Sequence, residues 1–147
     1  MSVKPVRIVR LMAASPEEIF DAWTDPESLA VWMAPGSVER AEVELEARVG
    51  GRFRIVMKSP DSDDVHTGEY LVLDRPHKLA FTWISAQTQG RATTVSIELR
   101  RHGKGQTELT LVHEDLPDET AAGRHRSGWE DILEKLGMAL IERRGHA

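Results

Sequence analysis

The residues able to do chemistry in this 147-residue chain are six histidines, four tryptophans, one tyrosine and scattered carboxylates, with no cysteine among them. Without cysteine there are no disulfides, no thiol nucleophiles and no cysteine-ligated zinc or iron-sulfur clusters. His113 ends the alternating run Leu109, Leu111, His113, which puts its imidazole on the covered face of a strand. His125 falls on the apolar face of the helix that follows. Two imidazoles facing one interior offer acid-base catalysis or metal ligation. Neither has a third ligand at a spacing such as HxxxH or HxxEH, so no metal site is expected. The simpler role is structural hydrogen bonding, with His113 tying down residues 114–118.

Other reaction classes find less support. There is no GxSxG, and Ser127 beside Gly128 stands on a helix flank without a base. GxGxxG and Walker patterns are absent as well, so neither a nucleotide nor another cofactor is implied. Glu69 and Tyr70 are neighbours in one strand, so one of them faces inward, where a buried carboxyl or phenol would orient a ligand or donate a proton. Strand parity alone leaves both open. Trp32, Trp83 and Trp129 belong to three separate elements and either fill the core or enclose one space.

What positions these groups is, above all, a long helix from Asp118 to Arg144. On a 3.6-residue period Ala122, His125, Trp129, Ile132, Leu133, Leu136 and Leu140 share a face, with Glu130, Asp131, Glu134, Lys135 and Glu142 opposite. Asp118 after Pro117 is an N-cap. Such a helix spans roughly 40 Å, enough to cross a whole sheet. Gly128 and Gly137 each cost it about 1 kcal/mol relative to alanine. Close packing of its backbone on the sheet is the expected reason; the alternative is that a missing side chain beside Trp129 leaves room for something else.

Seven strands supply that sheet. Val6 to Met12 is the first, followed by a helix with Ser15 as N-cap, Pro16 at its first position and Glu18 closing a capping box. Asp25-Pro26 starts a second short helix carrying Leu29, Trp32 and Met33, stopped by Pro35-Gly36. Ala41 to Ala47 alternates and turns at Gly50-Gly51, in a hairpin, into Arg52 to Met57. A polar loop, Ser59 to Asp64, leads to Val65 to Leu73, then Leu79 to Trp83, Thr93 to Arg101 and Gln106 to His113. Helices segregated to two places argue for α+β with a curved antiparallel sheet closing on the last helix. A helix that does not lie flush leaves a cavity between the layers.

The run ASPEEIFDAWTDPE from Ala14 to Glu27, then Trp32, Arg48-Val49-Gly50-Gly51-Arg52-Phe53, His113-Glu114-Asp115-Leu116-Pro117 and His125-Arg126-Ser127-Gly128-Trp129 resemble, in order, the signature blocks of the bacterial activator-of-heat-shock-protein-90-ATPase homologue family. That family belongs to the START-like, or SRPBCC, superfamily. The resemblance implies a helix-grip fold of β-α-α-β6-α order over residues 1–147 as one domain. It also implies a pocket between sheet and C-terminal helix of the kind in which many members bind apolar small molecules. Met33 stands where the family often has a second aromatic, which softens that end of the pocket.

The expected function is therefore binding of an apolar or amphipathic small molecule, lipid- or polyketide-like, with catalysis not required. Trp32 and Met33 form its lid, Phe53, Met57 and Trp83 the sheet wall, Trp129 and Leu133 the helix wall, and Tyr70 and His113 the polar anchors. A polyketide cyclase or dehydratase using His113 or Glu69 as base is one alternative; a stress-related, chaperone-associated interaction module is another. A net charge of -5 without a clustered basic segment argues against nucleic acid. No signal-like start and no apolar run of about 18 residues point to a cytoplasmic protein without membrane insertion. A homodimer is left open.

Overall fold

In a computed structural model, which describes residues 3–145, the elements run β1 (Val6–Met12), α1 (Pro16–Thr24), α2 (Pro26–Trp32), β2 (Arg40–Leu45), β3 (Arg52–Lys58), β4 (Asp63–Asp74), β5 (Lys78–Trp83), a 3-10 turn at Ala86–Thr88, β6 (Thr93–Arg101), β7 (Thr107–Glu114) and α3 (Glu119–Gly145). The strands form one antiparallel sheet in the order β1-β7-β6-β5-β4-β3-β2. This is the helix-grip arrangement, α+β with the short helices after the first strand and the long one last.

Local chemistry accounts for the helix starts. The Ser15 hydroxyl accepts from the Glu18 N–H at 3.1 Å and the Glu18 carboxylate accepts from the Ser15 N–H at 3.2 Å, a complete capping box. Asp25 caps α2 by accepting from the Glu27 N–H, and Asp118 caps α3 by accepting from the Ala121 N–H at 2.8 Å. Along α3 every residue of the anticipated apolar face is buried, from Ala122 to Leu140.

Where the sheet departs from the simple alternating pattern, backbone geometry explains it. Strand β4 begins at Asp63, inside the anticipated loop, because Asp63 pairs in register with Lys58 and its carboxylate takes the Lys58 ammonium at 2.8 Å. The β2–β3 connection is a longer turn than a two-residue hairpin: β2 ends at Leu45, so that Ala47 stands exposed outside it, and β3 resumes at Arg52. Gly51 is needed there, since a Cβ would come within 2.2 Å of the Glu46 carbonyl. Gly68 is needed as well, since a Cβ there would meet the Thr82 carbonyl at 2.0 Å. Just beyond it a register shift falls between Tyr70 and Val72.

The core follows from this geometry. Leu79, Ile97, Leu109 and Leu111 of the sheet and Leu133 and Leu136 of α3 are fully buried. Truncating Leu136 to Ala is expected to cost 2–5 kcal/mol, roughly the range for buried leucines. Asp118→Ala should lose about 1 kcal/mol through the cap. Ile141→Ala, on the exposed side of α3, should change stability by less than about 0.5 kcal/mol. Urea unfolding of the three variants measures all of these.

Candidate functional site

Helix α3 does not lie flush on the sheet along its whole length. Beside it runs a hollow of about 1050 Å³, open to solvent, whose lining comes from the loop after α2, from Met57, His66 and Trp83 of the sheet, and from His125, Gly128, Trp129 and Leu133 of the helix. Strand alternation turns Met57 and Trp83 inward, and the helical period turns Trp129 and Leu133 toward them. The Trp83 and Trp129 rings stand 5.1 Å apart at 51°, close enough to form one continuous aromatic wall.

Gly128 borders this space, and a Cβ added there would meet nothing within 4 Å. At Gly137 a Cβ would only touch the Met12 sulfur at 3.6 Å, an ordinary contact. Backbone packing onto the sheet is thus not the reason for either glycine, and Gly128 keeps open the space beside Trp129.

The anticipated site residues divide into three groups. Met57, Trp83, Trp129 and Leu133 line the hollow. Met33, Phe53 and Tyr70, with Trp83, surround a small void of about 10 Å³, room for about one water molecule, and Phe53 also borders an open groove of about 630 Å³ beside Leu45 and Gly68. Their neighbourhood is filled by rings, with Phe53 edge-on to Phe81 at 5.4 Å and tilted on Tyr70 at 5.6 Å. Trp32 and His113 border none of these spaces. Trp32 packs edge-on against Trp23 at 4.7 Å and its indole N–H donates to the Ser28 hydroxyl at 3.0 Å. It is a structural ring rather than part of a mouth.

His113 is fully buried, and both its ring nitrogens are engaged. The Trp129 indole N–H donates to Nδ1 at 3.0 Å, which in the neutral ring leaves the proton on Nε2. That N–H donates to the Thr93 hydroxyl at 2.7 Å, and the hydroxyl donates onward to the Trp83 carbonyl at 2.6 Å. The relay runs from helix to β7, β6 and β5, so His113 secures the two tryptophan walls rather than residues 114–118. Burial, and secondarily the nearby His125, pushes the His113 pKa down to about 3. Both ring nitrogens are thus occupied and the ring is held neutral. Glu69 is not in the interior: β4 buries His66, Gly68 and Tyr70 on its inner side, while Glu69 lies half-buried on the other, its N–H bound to the Thr82 hydroxyl. Tyr70 is the inward member of that pair, its phenol pushed up to about 12 by burial.

Two imidazoles do border the hollow. His125 donates from Nδ1 to the Ala121 carbonyl at 2.8 Å, and burial holds its pKa down against that bond. His66, which its position in β4 had not marked out, is buried and stacked on Trp83 at 4.8 Å. Its pKa is lowered to about 4, chiefly by burial, with the Asp64 carboxylate opposing and His125 adding to the fall. His66 Nδ1 and Trp83 Nε1 are buried without a hydrogen-bond partner among the described residues, as is Trp23 Nε1 by the small void. Alternation from Tyr70 back through Gly68 would have found His66, but parity left open whether Glu69 or Tyr70 faces inward. Across the mouth, α3 holds the loop after α2: the Asp131 carboxylate accepts from the Gly36 N–H and the Lys135 ammonium donates to the Ala34 carbonyl. Among the described residues no three histidine, aspartate or glutamate side chains converge as a metal site would need, and no helix is long and apolar enough to cross a membrane.

Comparison with known proteins bears on the same architecture. Residues 13–140 match the family model described as activator of Hsp90 ATPase homolog 1-like protein. No curated protein matches by sequence. Among solved structures, a Chromobacterium violaceum protein superposes with a TM-score of 0.80 at 24% identity, over 93% of this chain and 97% of that one. A Plasmodium falciparum protein described as an HSP90 activator gives 0.77 at 23% identity, over 94% and 96%. A Micromonospora echinospora protein, CalU16, gives 0.70 at 25%, over 91% and 74%.

The buried imidazoles make stability depend on pH in a definite sense. His66 and His113 are held at about 4 and 3 when folded, below the 6.5 of a free histidine. The unfolded chain therefore takes up protons that the folded one refuses. Stability is full above about pH 6.5 and falls on acidification by up to roughly 1.4 kcal/mol per pH unit for each ring until about pH 4. His66→Phe, which preserves the stack, should flatten this decline by about one proton's worth. Urea midpoints measured from pH 7.5 to 4.5 give both slopes.

Proposed function

The chain belongs to the activator of Hsp90 ATPase homolog 1-like family, and from that premise we propose that it binds an apolar or amphipathic small molecule, lipid- or polyketide-like, in the hollow between sheet and α3. The observation that carries this reading is the hollow itself. At about 1050 Å³ it matches the upper end of small-molecule sites, it has the Trp83–Trp129 wall on one side, and a glycine stands where a side chain would intrude. Met57 and Leu133 add flexible and aliphatic surface. The reading moves the binding residues toward Met57, His66, Trp83, Gly128, Trp129 and Leu133, and leaves Trp32, Phe53 and His113 as support. Catalysis is not part of it, since His113 is saturated with hydrogen bonds and Glu69 lies on the outer side.

A protein-interaction role is the second reading. It is favoured by Met138 and Ile141 on α3, large apolar side chains each more than half exposed and outside the hollow.

Gly128→Leu separates the two. A leucine there meets no atom that must move at its Cβ and replaces a costly helical glycine, so stability should hold or rise by about 1 kcal/mol. Its side chain fills the hollow beside Trp129. Titration with 1-anilinonaphthalene-8-sulfonate should show blue-shifted emission with the native chain and at least about tenfold weaker binding with the variant, a difference of roughly 1.4 kcal/mol. Equal binding by both proteins would reject the hollow as the ligand site. Loss of binding in a Met138→Ser, Ile141→Ser double variant would favour the surface.

A further inference from the structure

One buried acceptor bordering the hollow lacks a partner yet is not sealed away, and on the premise that the hollow is a ligand site it narrows the class of guest. His125 is 7% exposed, lines the hollow, and gives its Nδ1 proton to the Ala121 carbonyl at 2.8 Å. In a neutral ring that bond fixes the tautomer, so Nε2 carries a lone pair and no proton. Burial keeps the ring neutral by lowering its pKa. No group among the described residues bonds Nε2, and unlike Trp23 Nε1, His66 Nδ1 and Trp83 Nε1 it is not closed off from the surface. The nearest ring, His113 at 4.9 Å, has both its nitrogens engaged and no proton to give.

The other polar groups of the lining discriminate less between guests. Arg10, Arg124, Glu130 and Glu134 are exposed, and Asp64 and Asp131 are half-buried. Arg10 pairs with Glu130, and the Asp131 carboxylate accepts from the Gly36 N–H. Water already solvates such groups, so a guest gains little by replacing it. Nε2 differs because its ring is buried beside the Trp83–Trp129 wall. Hydrocarbon laid over it strips water from an acceptor with nothing in exchange. An ether oxygen, which only accepts, meets it lone pair to lone pair. A hydroxyl or N–H makes the missing bond.

We propose that His125 Nε2 is the polar anchor of the hollow, and that it selects guests whose apolar body carries a hydrogen-bond donor over guests whose polar atoms only accept. The body lies on the Trp83–Trp129 wall and its donor reaches the first half of α3. The Nε2 nitrogen of His66 is the competing acceptor, and the variant below separates the two.

The test compares 2-naphthalenemethanol with its methyl ether, in which a methyl group replaces the donating proton. Both keep the ring and the oxygen, and the ether is the more apolar, so wall contact alone favours the ether. The native full-length chain should bind the alcohol at least about tenfold more tightly, as a bond made rather than forfeited at a buried acceptor implies. In nitrogen spectra of the histidine rings, the His125 Nε2 signal should move toward its protonated position with the alcohol and stay nearly still with the ether. His125→Asn keeps an amide donor for the Ala121 carbonyl and removes Nε2. It should bring the two affinities together while changing that for the ether by less than about twofold. The nitrogen signal of the native chain decides alone should this variant fail to fold. Equal affinities or a preference for the ether in the native chain, or an unmoved His125 signal, would overturn the anchor and leave the hollow standing. So would an alcohol preference that survives His125→Asn, the result expected if His66 acts instead. Binding of 1-anilinonaphthalene-8-sulfonate but of neither naphthalene compound would also overturn it. Failure of all three probes would remove the hollow as a ligand site.

Discussion

The Trp129 indole and the His113 imidazole meet at the seam between helix and sheet, and the rest of the interior is arranged around that bond. It fixes α3 to the sheet by a buried directional interaction, where the links from Arg126 to the Arg7 carbonyl and from Arg10 to Glu130 are exposed. Because His113 passes the connection to Thr93, and Thr93 to the backbone of Trp83, one chain of donors sets the positions of both tryptophans. Inside a low-dielectric core such a chain is worth keeping only if every member is satisfied, and here each one is. A protonated His113 would break it, which is why burial and a lowered pKa belong to the same design.

The interior divides on either side of this bond. At β6 and β7 the layers close on Leu109, Leu111, Ile97 and Leu136. Toward β3 and β4 the loop after α2 is held out across the gap by Asp131 and Lys135. Gly128 keeps helical side chains out of the space left open beside Trp129.

Much of the fold was legible from the amino acids because its signals are local. Ser15 with Glu18, and Asp118 ahead of its apolar stripe, act within a turn of where they stand. The alternation of β6 and of β7 needed no tertiary information either. The site was only partly legible. Met57, Trp83, Trp129 and Leu133 follow from periodicity, but Phe53, Tyr70 and Met33 share that periodicity and close around a void of about 10 Å³ instead. Which inward residues border a gap and which touch each other depends on the register shift beyond Gly68 and on the Trp23–Trp32 packing, and no spacing rule encodes either. His66 escaped notice because parity along Val65 to Leu73 was open between Glu69 and Tyr70, and only the inward Tyr70 puts His66 on the covered face. His113 was found, but for the wrong work: its partners lie 16 and 20 residues away along the chain.

The claim on which the functional account rests is that an apolar guest enters between α3 and the sheet. Isotope-filtered nuclear Overhauser spectra of the carbon-13-labelled chain saturated with 1-anilinonaphthalene-8-sulfonate locate the guest directly. The account predicts cross-peaks from its rings to the ring protons of Trp83 and Trp129 and to the Gly128 α-protons. Cross-peaks confined to the exposed side chains of Met138 and Ile141 would contradict it.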